Sequence, residues 1–171
     1  KLYGFRVVIL PKKSEIMNKI GVLTSIMLVV MTITAVSQDE LREERFYFSR
    51  TLDGTVEQAT ERVKSALQEQ GFGIVTELDM HKTLNEKLGK NMGTYRILGA
   101  CNAKFAWQTL QKEENIGVFL PCKVLIKERP DNQVEVVAVN PSELMKMLNN
   151  PALTGVADEV SQRFKDALRQ L

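Results

Sequence analysis

A chain of 171 residues with 44% apolar and 26% charged residues has the length and composition of one globular domain with its own core. The formal net charge of +2 is unevenly placed: residues 1–37 hold five basic residues and one acid, whereas Gln38 onward holds 18 basic and 20 acidic residues. A folded part this close to neutrality gives no electrostatic case for nucleic-acid binding, which needs a concentrated basic surface.

The front of the chain has the layout of an export signal. Met17-Asn18-Lys19 supplies a short positive start, Ile20 to Val36 carries no charge, and Ala35-Val36-Ser37 places small residues where a signal peptidase cuts, before Gln38. The rival is an uncleaved anchor over residues 20–36, at the lower length limit for crossing a bilayer. The chain opens on Lys1, and the expected start of translation is Met17, with 1–16 as upstream read-through. The expected organisation is therefore 1–16 outside the protein proper, 17–37 signal, 38–45 a charged lead-in, and 46–171 a single domain. Export predicts a periplasmic or secreted location, with membrane contact only through an uncleaved signal, and an oxidising compartment for the cysteines.

Phe46 to Leu52 is aromatic-rich and partly alternating, which predicts a strand, and Asp53-Gly54 predicts a turn. Thr55 and Gln58 make a capping box for a helix with Val56, Ala59, Val63, Ala66 and Leu67 on one face, closed by Gly71. Gly73 to Leu78 is a second strand. A short helical stretch follows from His81 to Leu88 and stops at Gly89. Tyr95 to Ala100 is a third strand, and Asn102 is placed to cap a helix through Lys112. Ile116 to Leu120 predicts a fourth strand, with Pro121 implying an edge or bulge. Beyond it Cys122, Val124 and Ile126 share a face. Arg129 to Asn132 is a hairpin turn into a strand from Val134 to Val139. Asn140-Pro141 with Glu143 predicts a capped short helix, and a last helix starts near Asn150-Pro151. Strands joined mostly by hairpins, with helices near both ends, predict an α+β fold rather than a doubly wound sheet.

Four stretches carry a family resemblance: G-F-G-I-V-T-E-L-D at Gly71 to Asp79, T-L-N-E-K-L-G at Thr83 to Gly89, Y-R-I-L-G-A-C-N at Tyr95 to Asn102, and N-I-G-V-F-L-P-C at Asn115 to Cys122. In order and spacing the chain from Phe46 onward resembles the bacterial and archaeal domain of unknown function 302 family. The resemblance implies a TATA-binding-protein-like fold, a curved antiparallel sheet with the first helix and a long C-terminal helix on one face. It also implies a homodimer, and it brings no activity with it. The chain departs from the pattern at Ala103, where relatives usually have Pro, at Lys123, where they have Asn, and at Trp107, where many have His. A metal or proton-transfer role for that His does not carry over.

The candidate site gathers around the G-A-C-N turn. Small residues at Gly99 and Ala100 would let backbone amides approach a small ligand, with Tyr95 and Asn102 as polar contacts. Cys101 precedes a helix start, where the dipole stabilises a thiolate, and Cys122 lies on an apolar strand face. The two cysteines are open to four readings: buried thiols, a disulfide, a metal or redox site, or a covalent attachment point. A disulfide would close a loop of about 20 residues and add roughly 3 kcal/mol. One His and two distant cysteines do not make a zinc pattern, and nothing calls for a metal or cofactor. His81 is expected on the surface. Glu77 and Asp79 are expected as a solvated pair of strand-end charges, with a catalytic carboxylate pair as the alternative. Trp107 is either packing or, if it stands beside a groove, a recognition residue. Met145 and Met147 are expected as gap-filling core. The expected function is a non-enzymatic exported binding module, with a thiol redox or sulfur-carrier role on Cys101 and Cys122 as the alternative.

Overall fold

Alternating strands and one strongly amphipathic helix at each end set the architecture, seen here in a computed structural model that describes residues 40–171 apart from Asp131. The expected prefix, the signal 17–37 and the start of the lead-in lie outside the described residues. In chain order the elements are β1 (Arg42–Glu43), β2 (Tyr47–Asp53), α1 (Val56–Glu69), β3 (Gly73–Asp79), α2 (Met80–Leu88), β4 (Tyr95–Cys101), α3 (Ala103–Leu110), β5 (Cys122–Arg129), β6 (Gln133–Val139), α4 (Pro141–Lys146) and α5 (Thr154–Arg169). Short 3-10 turns occupy Glu114–Phe119 and Pro151–Leu153. The strands form one antiparallel sheet of six in the order β1-β2-β6-β5-β4-β3. The fold is α+β. Among the described residues no helix is long and apolar enough to cross a membrane.

Helix α1 starts where the sequence places it. Thr55 Oγ1 accepts from Gln58 N while Gln58 Oε1 accepts from Thr55 N, so two of the free amides of the first turn are satisfied. It ends in a Schellman turn: Phe72 N donates to Leu67 O, Gly71 N donates to Gln68 O, and Gly71 takes a φ of +82° that a side chain would resist. Strand alternation then aims Phe48, Leu52, Leu98, Ala100, Val124, Ile126, Val134, Val136 and Ala138 at α1 and α5, which meet them with Val63, Leu67, Val160, Phe164 and Leu168. Phe72 stacks on Phe164 with ring centroids 4.7 Å apart. Phe164 is fully buried, and withdrawing such a side chain from water contributes about 1.5–3 kcal/mol. At the C-terminus of α5, the Arg50 guanidinium reaches from β2 to the carbonyls of Leu168 and Arg169, two acceptors of the last turn.

Within the lead-in, Arg42 and Glu43 pair with Ser49 and Phe48, and Glu43 also meets Lys165 and Arg169 of α5. Four expectations are corrected. The strand expected over Ile116–Leu120 is a 3-10 turn, because Ile116 and Phe119, three apart, fall on the same side and pack with Met145, Leu153 and Ala157 in a second core cluster. Pro121 stands just before β5, an interior strand, and needs no ladder amide there, so it marks neither an edge nor a bulge; its peptide bond with Leu120 is cis. Asn140 does not cap α4 with its side chain. Its amide donates to Arg45 O and its oxygen accepts from Ser161 Oγ, while Glu143 pairs with Arg45 and Lys146. Met145 is buried as expected, but Met147 is exposed.

Candidate functional site

The G-A-C-N turn, built from the residues upward, is a joint rather than a mouth. Asn102 Oδ1 accepts from the Lys104 and Phe105 amides at 3.0 and 3.3 Å, the N-cap role its position predicts. The other half of the same side chain donates to Gly71 O at 2.9 Å. One amide therefore ties the end of α1 to the start of α3. Those α3 amides are no longer free to stabilise a Cys101 thiolate. Gly99 is small because its place is taken: a Cβ there would fall on Thr76 Oγ1 and lie 2.5 Å from Pro121 Cγ. No open approach to the backbone exists at this point.

Tyr95 is not gathered with Asn102 and Cys101. Tyr95 begins β4 and Cys101 ends it, so they stand about 20 Å apart along the strand. The Tyr95 backbone instead faces His81, whose Nδ1 lies 3.3 Å from both Tyr95 N and Tyr95 O, so His81 is held at the far end of β4 from Cys101 and is no base for it. Cys122 pairs with Ala100, which puts the neighbouring Cys101 on the other face of the sheet. Both thiols are free, and no disulfide joins them. Burial pushes the Cys122 thiol up to about 11, helped by the adjacent Cys101, so it stays protonated and poorly nucleophilic at neutral pH.

The strand-end acids are neither free in solvent nor a carboxylate pair. Asp79 and Glu77 converge on Arg96 of β4, at 2.8 and 3.3 Å from its Nε, and Arg96 Nη1 donates to the buried Thr60 hydroxyl of α1. Lys82 and Lys64 close the outer sides of the two acids. The hydrogen bonds from Arg96 and then Lys82 hold the Asp79 carboxyl well below the usual carboxylate range. Among the described residues no group of His, Cys, Asp and Glu is arranged to hold a metal ion.

Among the described residues, three of the surface clefts bear on a site. One of 420 Å³ runs under α4 and the start of α5, between Ser142, Met145, Asn150 and Asp158, and a neighbouring one of 490 Å³ continues past Ser161 to Glu43. Their shared wall is a closed hydrogen-bond set: Ser142 Oγ on Asp158 at 2.6 Å and on Ser161 Oγ at 2.8 Å, with Ser161 on Asn140. Every polar group in it has a partner, and no His stands by to activate either serine.

The third cleft is different in kind. Phe105 and Thr109 point α3 into the core, which turns Trp107, Gln108 and Gln111 outward. Trp107 is 64% exposed. It lines an open groove of 520 Å³ with Gln108, Gln111 and Lys112 on one side and Gly155, Val156 and Glu159 of α5 on the other. The groove's Lys112 ammonium is anchored on Ala152 O, and its Glu159 carboxylate is paired with Arg163. Gly155 lies in the first turn of α5 at an ordinary helical φ, and a Cβ there would meet no atom within 4 Å. Glycine in a helix gives up about 0.5–1 kcal/mol relative to alanine, and no neighbour in the fold demands it here. Trp107 was among the sequence candidates; Gly155 carried no sequence signal as a wall of its groove.

Known proteins place this geometry. No curated protein matches the chain. A solved structure that does, an uncharacterized conserved DUF302 protein from Bacillus stearothermophilus, is 26% identical, superposes with a TM-score of 0.68, and covers 73% of this chain and 97% of its own. The family described as domain of unknown function DUF302 matches residues 48–171, from β2 through the end of α5. With strands β3 to β6, all of β2 but its first residue, both packing helices and all four sequence stretches inside that match, the chain belongs to the DUF302 family.

Proposed function

We propose that the chain is an exported, non-enzymatic binding module whose recognition surface is the α3–α5 groove around Trp107. The observation that carries this reading is an exposed indole, 64% accessible, standing beside a groove rather than scattered alone on the surface. The G-A-C-N turn, first choice on sequence, is occupied by its own helix cap and by Thr76 and Pro121. The thiol alternative has less support, since Cys122 is protonated at neutral pH and His81 is remote from Cys101. The uncharged run Ile20 to Val36, followed by Ala35-Val36-Ser37, supports export.

Trp107 is the only tryptophan in the chain, so its fluorescence reports on this groove alone. The test is titration of the full chain with a panel of neutral sugars, amino acids, purines and quaternary amines. A saturable change in Trp107 emission, lost in Gly155→Leu, supports the reading; silence across the panel overturns it.

The family resemblance supports a homodimer as well, and we propose the sheet face turned away from α1 and α5 as its contact. Ile97, Leu125 and Val139 lie across that face between Tyr47 and Tyr95, an apolar band that a second copy would cover. Sedimentation of the full chain should give a dimer, and Ile97→Lys should give a monomer. A wild-type monomer at high concentration refutes it.

A further inference from the structure

We infer that the ligand of the Trp107 groove is a neutral saccharide whose pyranose ring lies against the indole and over Gly155. This inference rests on the groove being the recognition surface, and it goes further by fixing the chemistry of what binds there.

Four features of the groove converge on that class. The platform is flat and apolar, and a pyranose presents a face of C–H groups that stacks on such a ring. Around the platform, the side-chain amides of Gln108 and Gln111 have no hydrogen-bond partner among the described residues, although each offers both a donor and an acceptor. Sugar hydroxyls also donate and accept, so two uncommitted amides match them better than they match a ligand of one polarity. The charges, by contrast, are engaged. Glu159 is paired with Arg163, so a cation finds no unopposed counter-charge, and Lys112 already spends one ammonium donor on the Ala152 carbonyl. Finally, Gly155 leaves open the space opposite, where any larger side chain would stand in the path of a ring edge.

The groove's other properties count against the main rivals. A purine or other flat aromatic ring gains most from a slot closed on both faces, and this groove has one aromatic wall. A quaternary amine wants a cage of several rings, whereas Trp107 is the only aromatic residue lining the groove. An open groove with a single platform suits a ligand that keeps its outer hydroxyls in water.

The test is calorimetric and fluorescence titration of the full chain with cellohexaose, maltohexaose and chitohexaose, alongside adenosine and choline. At least one hexasaccharide is expected to saturate, with a shift in Trp107 emission. Gln111→Ala should weaken it roughly tenfold. Gly155→Leu should abolish it, while Gly155→Ala raises the melting temperature slightly and weakens binding. Preserved melting temperatures in these variants exclude unfolding as the cause. Saturation by adenosine or choline with no response to any hexasaccharide overturns the saccharide assignment and leaves the groove as a binding site. No response to any probe overturns both. Saccharide binding that survives Gly155→Leu and leaves Trp107 emission unchanged places the ligand elsewhere and also overturns the inference.

Discussion

Arg96 and Asp79 face each other across the β3–β4 ladder, Nε to Oδ1 at 2.8 Å, and the same guanidinium holds the hydroxyl of Thr60 on the helix above. This arrangement fastens the edge of the sheet to α1 with charge rather than with apolar bulk. Arg96 and Asp79 side chains are only 13% and 19% exposed, so the pair belongs between surface and buried ion pairs in strength.

A pH dependence follows from the direction of the Asp79 shift. Its carboxyl titrates lower in the folded chain than in the unfolded one, so its stabilising contribution is complete above the ordinary carboxylate range and is lost as pH falls through and below it. Asp79→Asn should cost about 1–2 kcal/mol at neutral pH, and the gap to wild type should narrow in acid. Urea unfolding at both pH values checks this; a gap that stays constant would mean that Asp79 contributes no charge-dependent stability.

Asn102 should behave as a structural clamp. Asn102→Ala removes an N-cap and the bond to Gly71 O together, for an expected loss of about 1–3 kcal/mol. Asn102→Asp keeps the cap and loses only the donor, so its denaturant midpoint should lie between the two. An alanine variant as stable as wild type would show that the clamp contributes nothing.

At Gly99 the obstacle is steric. Gly99→Ala places a methyl against Thr76 Oγ1 and Pro121 Cγ, and overpacking of this kind costs about 1–3 kcal/mol. Thr76→Ala in the same chain should recover part of the loss, a coupling that a double-mutant cycle measures. Additive effects would indicate that the backbone simply moves aside.

The raised Cys122 pKa predicts slow chemistry. Moving a thiol from 9.0 to about 11 leaves about a hundredfold less thiolate near pH 8. Iodoacetamide should spare Cys122 in the folded chain and label it on unfolding, as followed by peptide mass. Rapid labelling of Cys122 in the native protein would reopen the thiol alternative.

Much of this fold is legible from neighbours in sequence. The Thr55–Gln58 box, the α1 stripe and the Gly71 and Gly89 stops depend on residues within a few positions, and each element forms where those signals place it. Ile116 to Leu120 was illegible because a short apolar run fits a strand or a 3-10 turn equally, and the choice is made by Met145, Leu153 and Ala157. The same limit governs the candidate site. In the sequence Trp107 stood open between packing and recognition, because the opposite wall of its groove comes from α5, far along the chain. Asn102 was readable as a cap, yet its second partner, Gly71, lies 31 residues back, where only the folded chain brings the two together.

The pairing of β2 with β6 has a consequence for the order of events during synthesis. Tyr47 waits for Val139 and Arg50 waits for the carbonyls of Leu168 and Arg169, so the first long strand gains its long neighbour only once β6 has been made, and its helix contact only once the last helix has. Contacts between stretches so far apart in sequence close slowly, and the side of β2 that β6 covers stays open to other partners until they do.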